Sequence, residues 1–367
     1  MNRRSVPGVF LTALLLSSGC DTDPGDTSEM VDSDDRRAQT EQFYISTATE
    51  SAQRAAILPT KGSEDKFALL GKIEARAEVQ HVLDEYLPNP AVEWVVHAKV
   101  QQPLDSKSVK AKFGREWREE YGALTLFGRD VATGRWTYLI SSDGPKKVDG
   151  LQFAWNYHES WSEDAVIDPP ELYDARIEAI KTAMASLTPA TVHSDVASQD
   201  AYARAKRLSQ INEQFDRHVI VSLVAPRGKR FAGREVWDVM LCLGLRWGDM
   251  DCFHWDNETG VGGDYHFDVW TSTAPGYFLP EEVAAGLVEV EDLVFSYSIP
   301  RSAAPADVFQ RMMRAVKYAQ ERLGGTIQGE DEQPLDEDAV AEEIESIAEQ
   351  LTQLGFAPGS NNALRQF

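Results

Sequence analysis

Apolar positions that alternate in some stretches and recur every three to four residues in others divide the chain beyond Pro90 into two successive runs of the same elements. The first run predicts strand 93–100, helix 106–122, strands 123–130, 135–141 and 151–158, helix 169–187, a short strand 191–194 and helix 198–215. The second predicts strand 218–225, helix 230–247, strands 249–255, 265–272 and 292–299, helix 305–323, a short strand 326–329 and helix 336–351. Three landmarks recur in order: Gly122 and Gly248 before the second strand, Pro170 and Pro305 at the start of the long helix, and Asp200-Ala201 and Asp338-Ala339 in the closing helix. A tandem repeat is the expectation, its second copy lengthened by an insertion around Phe278 to Val290.

Neither run shows the steady strand–helix alternation of a parallel sheet. The fold class is therefore α+β, an antiparallel β-sheet with helices packed on one face, duplicated in tandem. The other sheet face is left for solvent or a partner. The predicted division is a signal peptide 1–20, an acidic disordered tether 21–40, a helical segment 41–88, domains 89–216 and 217–356, and a flexible tail 357–367. The helical segment rests on Phe67, Leu70, Ile73, Ala77, Val79 and Leu83, ahead of the Pro88-Asn89-Pro90 stop.

Alternation also sorts side chains between faces. Val219, Val221, Phe253, Phe267, Val269, Phe295 and Tyr297 form one set and are assigned to the core. In Arg246–Trp255, RWGDMDCFHW, a strand places Met250, Cys252 and His254 on one face and Asp249, Asp251, Phe253 and Trp255 on the other. The four polar residues are split two and two. A structural zinc site wants four ligands, and no second Cys/His pair has suitable spacing.

The formal net charge of −23 opposes binding to nucleic-acid phosphates or anionic headgroups. Ala225–Gly233 lacks the first glycine and the Ser/Thr of a phosphate-binding loop, and Asp256–Asp264 lacks the spacing and terminal glutamate of a calcium loop. Neither Gly-x-Ser-x-Gly nor His-Glu-x-x-His occurs. Nothing here calls for an enzyme, a metal or a cofactor.

The first twenty residues carry Arg3 and Arg4, an apolar run from Val9 to Leu16 and small residues ending in Cys20. This is an export signal, too short to span a bilayer, which needs about 20 apolar residues. Ser17-Ser18-Gly19-Cys20 resembles the lipobox of bacterial lipoproteins, which implies lipidation at Cys20. Cys242 and Cys252 remain, and their count does not settle whether they pair.

The second run, from VIVSLVAPRGKRFAGREVWDVM through Gly248-Asp249-Met250, resembles the C-terminal domain of ZipA, a bacterial division family. Ala274–Phe278, Phe295–Pro300 and the long helix ending at Gly324-Gly325 match the same family in the same order. The first run looks like a diverged second example. The resemblance implies a six-stranded antiparallel sheet whose open face is a shallow apolar groove for the C-terminal tail of FtsZ. Carried over by position, the groove is lined by His218, Ile220, Met250, Cys252, Trp270, Ser272 and Ser296. His218 and Ser296 stand where the family has apolar side chains, and Trp270 stands at a small position. The corresponding face of the first copy would carry Glu93, Val95, His97, Leu124, Leu126, Gln152, Ala154 and Asn156.

The resulting expectation is a membrane-tethered protein-binding module of cell division, held in the bacterial envelope by Cys20. The alternative placement is an inner membrane with the domains facing the cytoplasm, where the family's partner resides. The alternative function is a structural envelope lipoprotein whose two sheets pack together and bind no peptide.

Overall fold

The computed structural model describes residues 67–74, 86–141, 144–158 and 167–367. Helix α1 (Phe67–Leu70) precedes a first unit of β1 (Glu93–Asp105), α2 (Ser106–Lys112), α3 (Arg115–Tyr121), β2 (Thr125–Asp130), β3 (Trp136–Tyr138), β4 (Lys147–Asn156), α4 (Pro170–Ala185), β5 (Ala190–His193) and α5 (Ser198–Phe215). The second unit runs β6 (His218–Val224), β7 (Phe231–Ala232), α6 (Gly233–Cys242), β8 (Arg246–Trp247), β9 (Phe253–Asp256), β10 (Tyr265–Trp270), α7 (Pro280–Ala284), β11 (Glu289–Val290), β12 (Asp292–Ser298), α8 (Pro305–Leu323), β13 (Thr326–Gln328), α9 (Glu337–Gln353) and α10 (Asn361–Gln366).

Two antiparallel sheets carry these units. The first has strand order β3-β2-β4-β1-β5 and the second β13-β6-β12-β10-β9-β8, with β7 and β11 forming a separate ribbon. Alternation builds both. In β1, Trp94, Val96 and Ala98 enter the main core while Val95 lies on the other face. In β6, Val219, Val221 and Leu223 are buried, and Ile220 and Ser222 between them are half-exposed. Helix α8 closes the second core. It opens on Pro305, whose missing N–H costs nothing in the first turn, and it buries Val308, Met312, Ala315, Val316 and Ala319 along one stripe. Gly324, at φ 79°, ends it.

The sheets agree in one half and differ in the other. Strands β5-β1-β4 match β13-β6-β12 in order and antiparallel sense. Beyond them, the first unit sets β2, the earlier strand of its hairpin, beside β4, whereas the second sets β10, the later strand, beside β12. The connections explain the difference. From α3 the chain turns at Gly122 (φ 87°) directly into a central strand, while from α6 it first lays down the edge pair β8 and β9.

Several expectations change. The single helix expected over 106–122 is two, because Phe113 closes α2 through a bond to the Val109 carbonyl and turns its ring into the core, 1% exposed. Of the helical segment expected over 41–88, the described residues hold only α1. Gly71, at φ 67°, ends that helix, and residues 86–88 are not helical. The expected signal peptide, Cys20 and the acidic tether lie outside the described residues. The expected loose tail is ordered. Ser360 accepts from the Ala363 N–H to cap α10, and Ala363 is fully buried. The expected insertion holds α7 and β11.

The units join through their helical layers. Helix α1 packs on α8, and α10 reaches back to the first unit, where Asn89 Nδ2 donates to Asn362 Oδ1 at 2.7 Å and Gln366 Nε2 to the Leu208 carbonyl at 3.2 Å. Among the described residues, no helix is long and apolar enough to cross a membrane.

Candidate functional site

Helices cover one face of the second sheet. The register fixes what the other face presents. Ile220 pairs with Ser296, Ser296 with Asp268 and Asp268 with His254, making one row across four strands. The neighbouring row is Ser222, Val294 and Trp270. Ile220, Ser222, Ser296 and Trp270 are half-exposed, and the Trp270 indole N–H donates to Ser296 Oγ at 3.5 Å. Apolar area on this face thus comes from Ile220 and Trp270, with Val294 between them only 4% exposed, and it is edged by hydroxyls.

The stretch around Met250 departs from the expected strand. Residues Asp249–Asp251 form a 3-10 turn, and β9 begins only at Phe253. Met250 and Asp251 sit at φ 55° and 56°, the left-handed region that side chains with a Cβ enter at a cost of about 1–2 kcal/mol. The reason for the turn is local. The Asp251 N–H bonds to the Gly248 carbonyl, the Cys252 N–H to the Asp249 carbonyl, and the Asp251 carbonyl accepts from the Phe278 N–H. The result is a methionine 62% exposed at the rim of the sheet.

His254 holds this turn. Its Nδ1 lies 2.6 Å from Asp268 Oδ1 and its Nε2 lies 2.8 Å from the Asp249 carbonyl, with the ring stacked on Tyr265 at 4.1 Å. Cys252, half-buried beside the turn, donates its thiol to the Met250 carbonyl at 3.3 Å. Burial pushes that thiol up to about 12, and the carboxylates of Asp268, Asp251 and Asp249 push the same way. Cys242 and Cys252 are both free thiols. Among the described residues, no group of three His, Cys, Asp or Glu side chains is placed to hold a metal ion.

Of the seven expected groove residues, Ile220, Trp270 and Ser296 share the central patch. His218 is exposed at the start of β6, where it and Ile220 border a cleft of about 240 Å³ with Gln333 and Leu335. Ser272 lies past the end of β10, where its N–H and hydroxyl are both taken by the Asp292 carboxylate. Met250 belongs to the rim turn, with Cys252 next to it. Sequence reasoning left out Asp268, Val294 and Ser222, although each stands two positions from a residue it did place.

The first sheet is less open. Val95, Phe127 and Ala154 form a small cluster on its outer face, with Trp136 and Tyr138 packed against it and Tyr86 ring to ring with Tyr138 at 4.9 Å. Leu124 and Leu126, expected on that face, are core residues instead. Register pairs Leu126 with Phe153, so Phe127 takes the outer position. His97 stacks on His193 at 5.3 Å, and both rings lie within 4 Å of the Asp195 carboxylate.

Comparison with known proteins places the resemblance on the second unit. The chain is similar to proteins named cell division protein ZipA: 26% identical over 109 residues to that of Shewanella loihica, covering 30% of this chain and 32% of that protein. The protein of the same name from Colwellia psychrerythraea is 25% identical over 130 residues, or 35% of this chain and 33% of the relative. That of Ectopseudomonas mendocina is 23% identical over 154 residues, covering 41% and 56%. The chain spans from about a third to just over half of the length of these relatives. Residues 217–362 match the family described as ZipA, C-terminal FtsZ-binding domain.

Proposed function

We propose that this chain is a division-associated binding module whose second unit docks a C-terminal peptide of FtsZ type on the open face of its sheet. The observation that carries this reading is the combination of the half-exposed Ile220 and Trp270 on the outer face of the sheet with Met250 held out at its rim on a strained turn. Grooves of this kind bind through a few apolar anchors, and Met and Trp supply adaptable shape and large area. The match over residues 217–362 supports the choice of peptide. The first unit serves as a diverged copy with a supporting role, because its outer face is partly filled by Tyr86, Trp136 and Tyr138. Lipidated Cys20 tethers both units to the bacterial envelope in this proposal.

Titration of the full chain with a synthetic FtsZ tail peptide tests the site. Saturable binding that weakens about tenfold or more in Met250→Ala and in Trp270→Ala, with unchanged melting, is the expected result. Binding that neither substitution moves would overturn it. Palmitate labelling dependent on Cys20, with protease protection of the second unit, tests the tether and its side of the membrane. An externally accessible, labelled chain would rule out cytoplasmic FtsZ as the partner.

A further inference from the structure

Helices α2 and α3 and the β2–β3 hairpin enclose an open cavity of about 490 Å³ in the first unit, within the span of about 300–1,000 Å³ usual for small-molecule sites. Phe113 and Leu126, each 1% exposed, form its floor, and Ile140, 50% exposed, its apolar lip. Its rim is cationic. Lys110, Arg115 and Arg118 border it, with Glu119 as the accompanying acid, and Arg115 is already paired to Glu119 at 2.7 Å. Arg118 donates from Nε to the Phe113 carbonyl at 3.1 Å, and no carboxylate pairs with its guanidinium among the described residues. Lys110 is half-buried and likewise lacks an acidic partner there, and burial lowers its pKa.

This is unusual chemistry for a chain of net charge −23. Lys107, Lys110, Lys112, Arg115 and Arg118 share α2 and α3 with Glu116, Glu119 and Glu120, and Lys146 is bound through its carbonyl to the Ser106 N–H at the start of α2. An ammonium partly withdrawn from water without a counter-ion is costly, and an anion placed beside it offsets that cost. A planar guanidinium next to it suits a carboxylate.

We propose that the cavity binds a fatty-acid-like amphiphile, its chain against Phe113, Leu126 and Ile140 and its carboxylate between Lys110 and Arg118. Both halves of the ligand are required. A simple anion lacks the apolar contact, and a neutral chain leaves Lys110 unpaired.

The test uses the full chain and sodium decanoate below its micelle concentration, with decanol and acetate as controls and binding followed by calorimetry and by the methyl resonance of Ile140. Expected are saturable decanoate binding that moves the Ile140 methyl, at least about tenfold weaker binding of decanol, and none of acetate. Lys110→Gln and Arg118→Gln should each weaken decanoate about tenfold, and Ile140→Asp should abolish it. Ile140 is exposed, so its replacement leaves folding intact, which thermal melting checks. The assignment is overturned by absence of decanoate binding, by equal affinity for decanol, or by binding that persists unchanged in Ile140→Asp and so belongs to another surface.

Discussion

His254 ties Asp268, in the neighbouring strand, to the turn that displays Met250: one imidazole bridges the Asp268 carboxylate at 2.6 Å and the Asp249 carbonyl at 2.8 Å. The His254 side chain is 5% exposed, whereas that of Asp268 is 41% exposed. His254→Ala removes two hydrogen bonds whose acceptors water can reach, and should destabilise the chain by about 1 kcal/mol in urea titration. It should also weaken peptide binding through the loosened turn.

Met250 offers the opposite balance between stability and binding. Replacing it with Gly relieves the left-handed strain, for a gain of up to about 1 kcal/mol in denaturant unfolding. The same change removes the rim side chain, so tail-peptide affinity should fall while the melting temperature rises. A loss of stability would show that the methionine packs against its surroundings in solution.

Cys252 should be nearly inert to alkylation. Its thiol is pushed up to about 12 from an ordinary 9.0, which lowers the thiolate population at pH 8 by about a thousandfold. Mass spectrometry of the chain treated with iodoacetamide should find Cys252 unmodified under conditions that label a free thiol peptide. Asp268→Asn removes one of the carboxylates that push the thiol up, so it should speed the labelling, and slower labelling would run against the electrostatic account.

Glu93 is 4% exposed and receives the Arg365 guanidinium at 2.5 Å together with the Asn89 N–H at 2.5 Å. Burial raises its carboxyl above the usual 4.5, and the Asn89 and Arg365 contacts only partly oppose this. A raised carboxyl contributes stability that is complete below its unfolded value and is lost as pH rises through its folded value. Any stability advantage of the wild type over Glu93→Gln should consequently shrink as pH climbs from below 4.5 through the raised folded value. Arg365→Met strands the carboxylate at neutral pH and should cost about 3 kcal/mol.

Phe253 anchors the second core, fully buried with Trp237 at 5.1 Å and Phe278 at 5.3 Å. Phe253→Ala should lower stability by about 3–5 kcal/mol through the cavity it opens. Guanidinium unfolding followed by tryptophan fluorescence reads the change.

Strand faces in the second unit were legible because alternation there is regular: Val219, Val221 and Phe295 are buried, and Ile220 and Ser296 lie opposite. The same rule failed at Met250, since it assumes continuous extended backbone, and the Gly248–Asp251 hydrogen bond curls the chain first. It failed at Leu124 and Leu126 through a one-residue offset, which exchanges the faces of a whole strand. Hairpin order was not legible at all. Whether β2 or β3 meets β4 is decided by pairing between distant segments, and neither strand's composition records it. The α10 cap did leave a signal in Ser360, but a helix this short shows too little periodicity to be noticed.

The contact between Glu93 and Arg365 also sets a timetable. The two residues are 272 positions apart. A ribosome delivers β1 long before it delivers α10, and during that interval the carboxylate of Glu93 has no guanidinium to meet. The first unit, though early in the chain, can complete its native set of interactions only after the second unit and α10 have been synthesised, so the assembly of one is coupled to the appearance of the other.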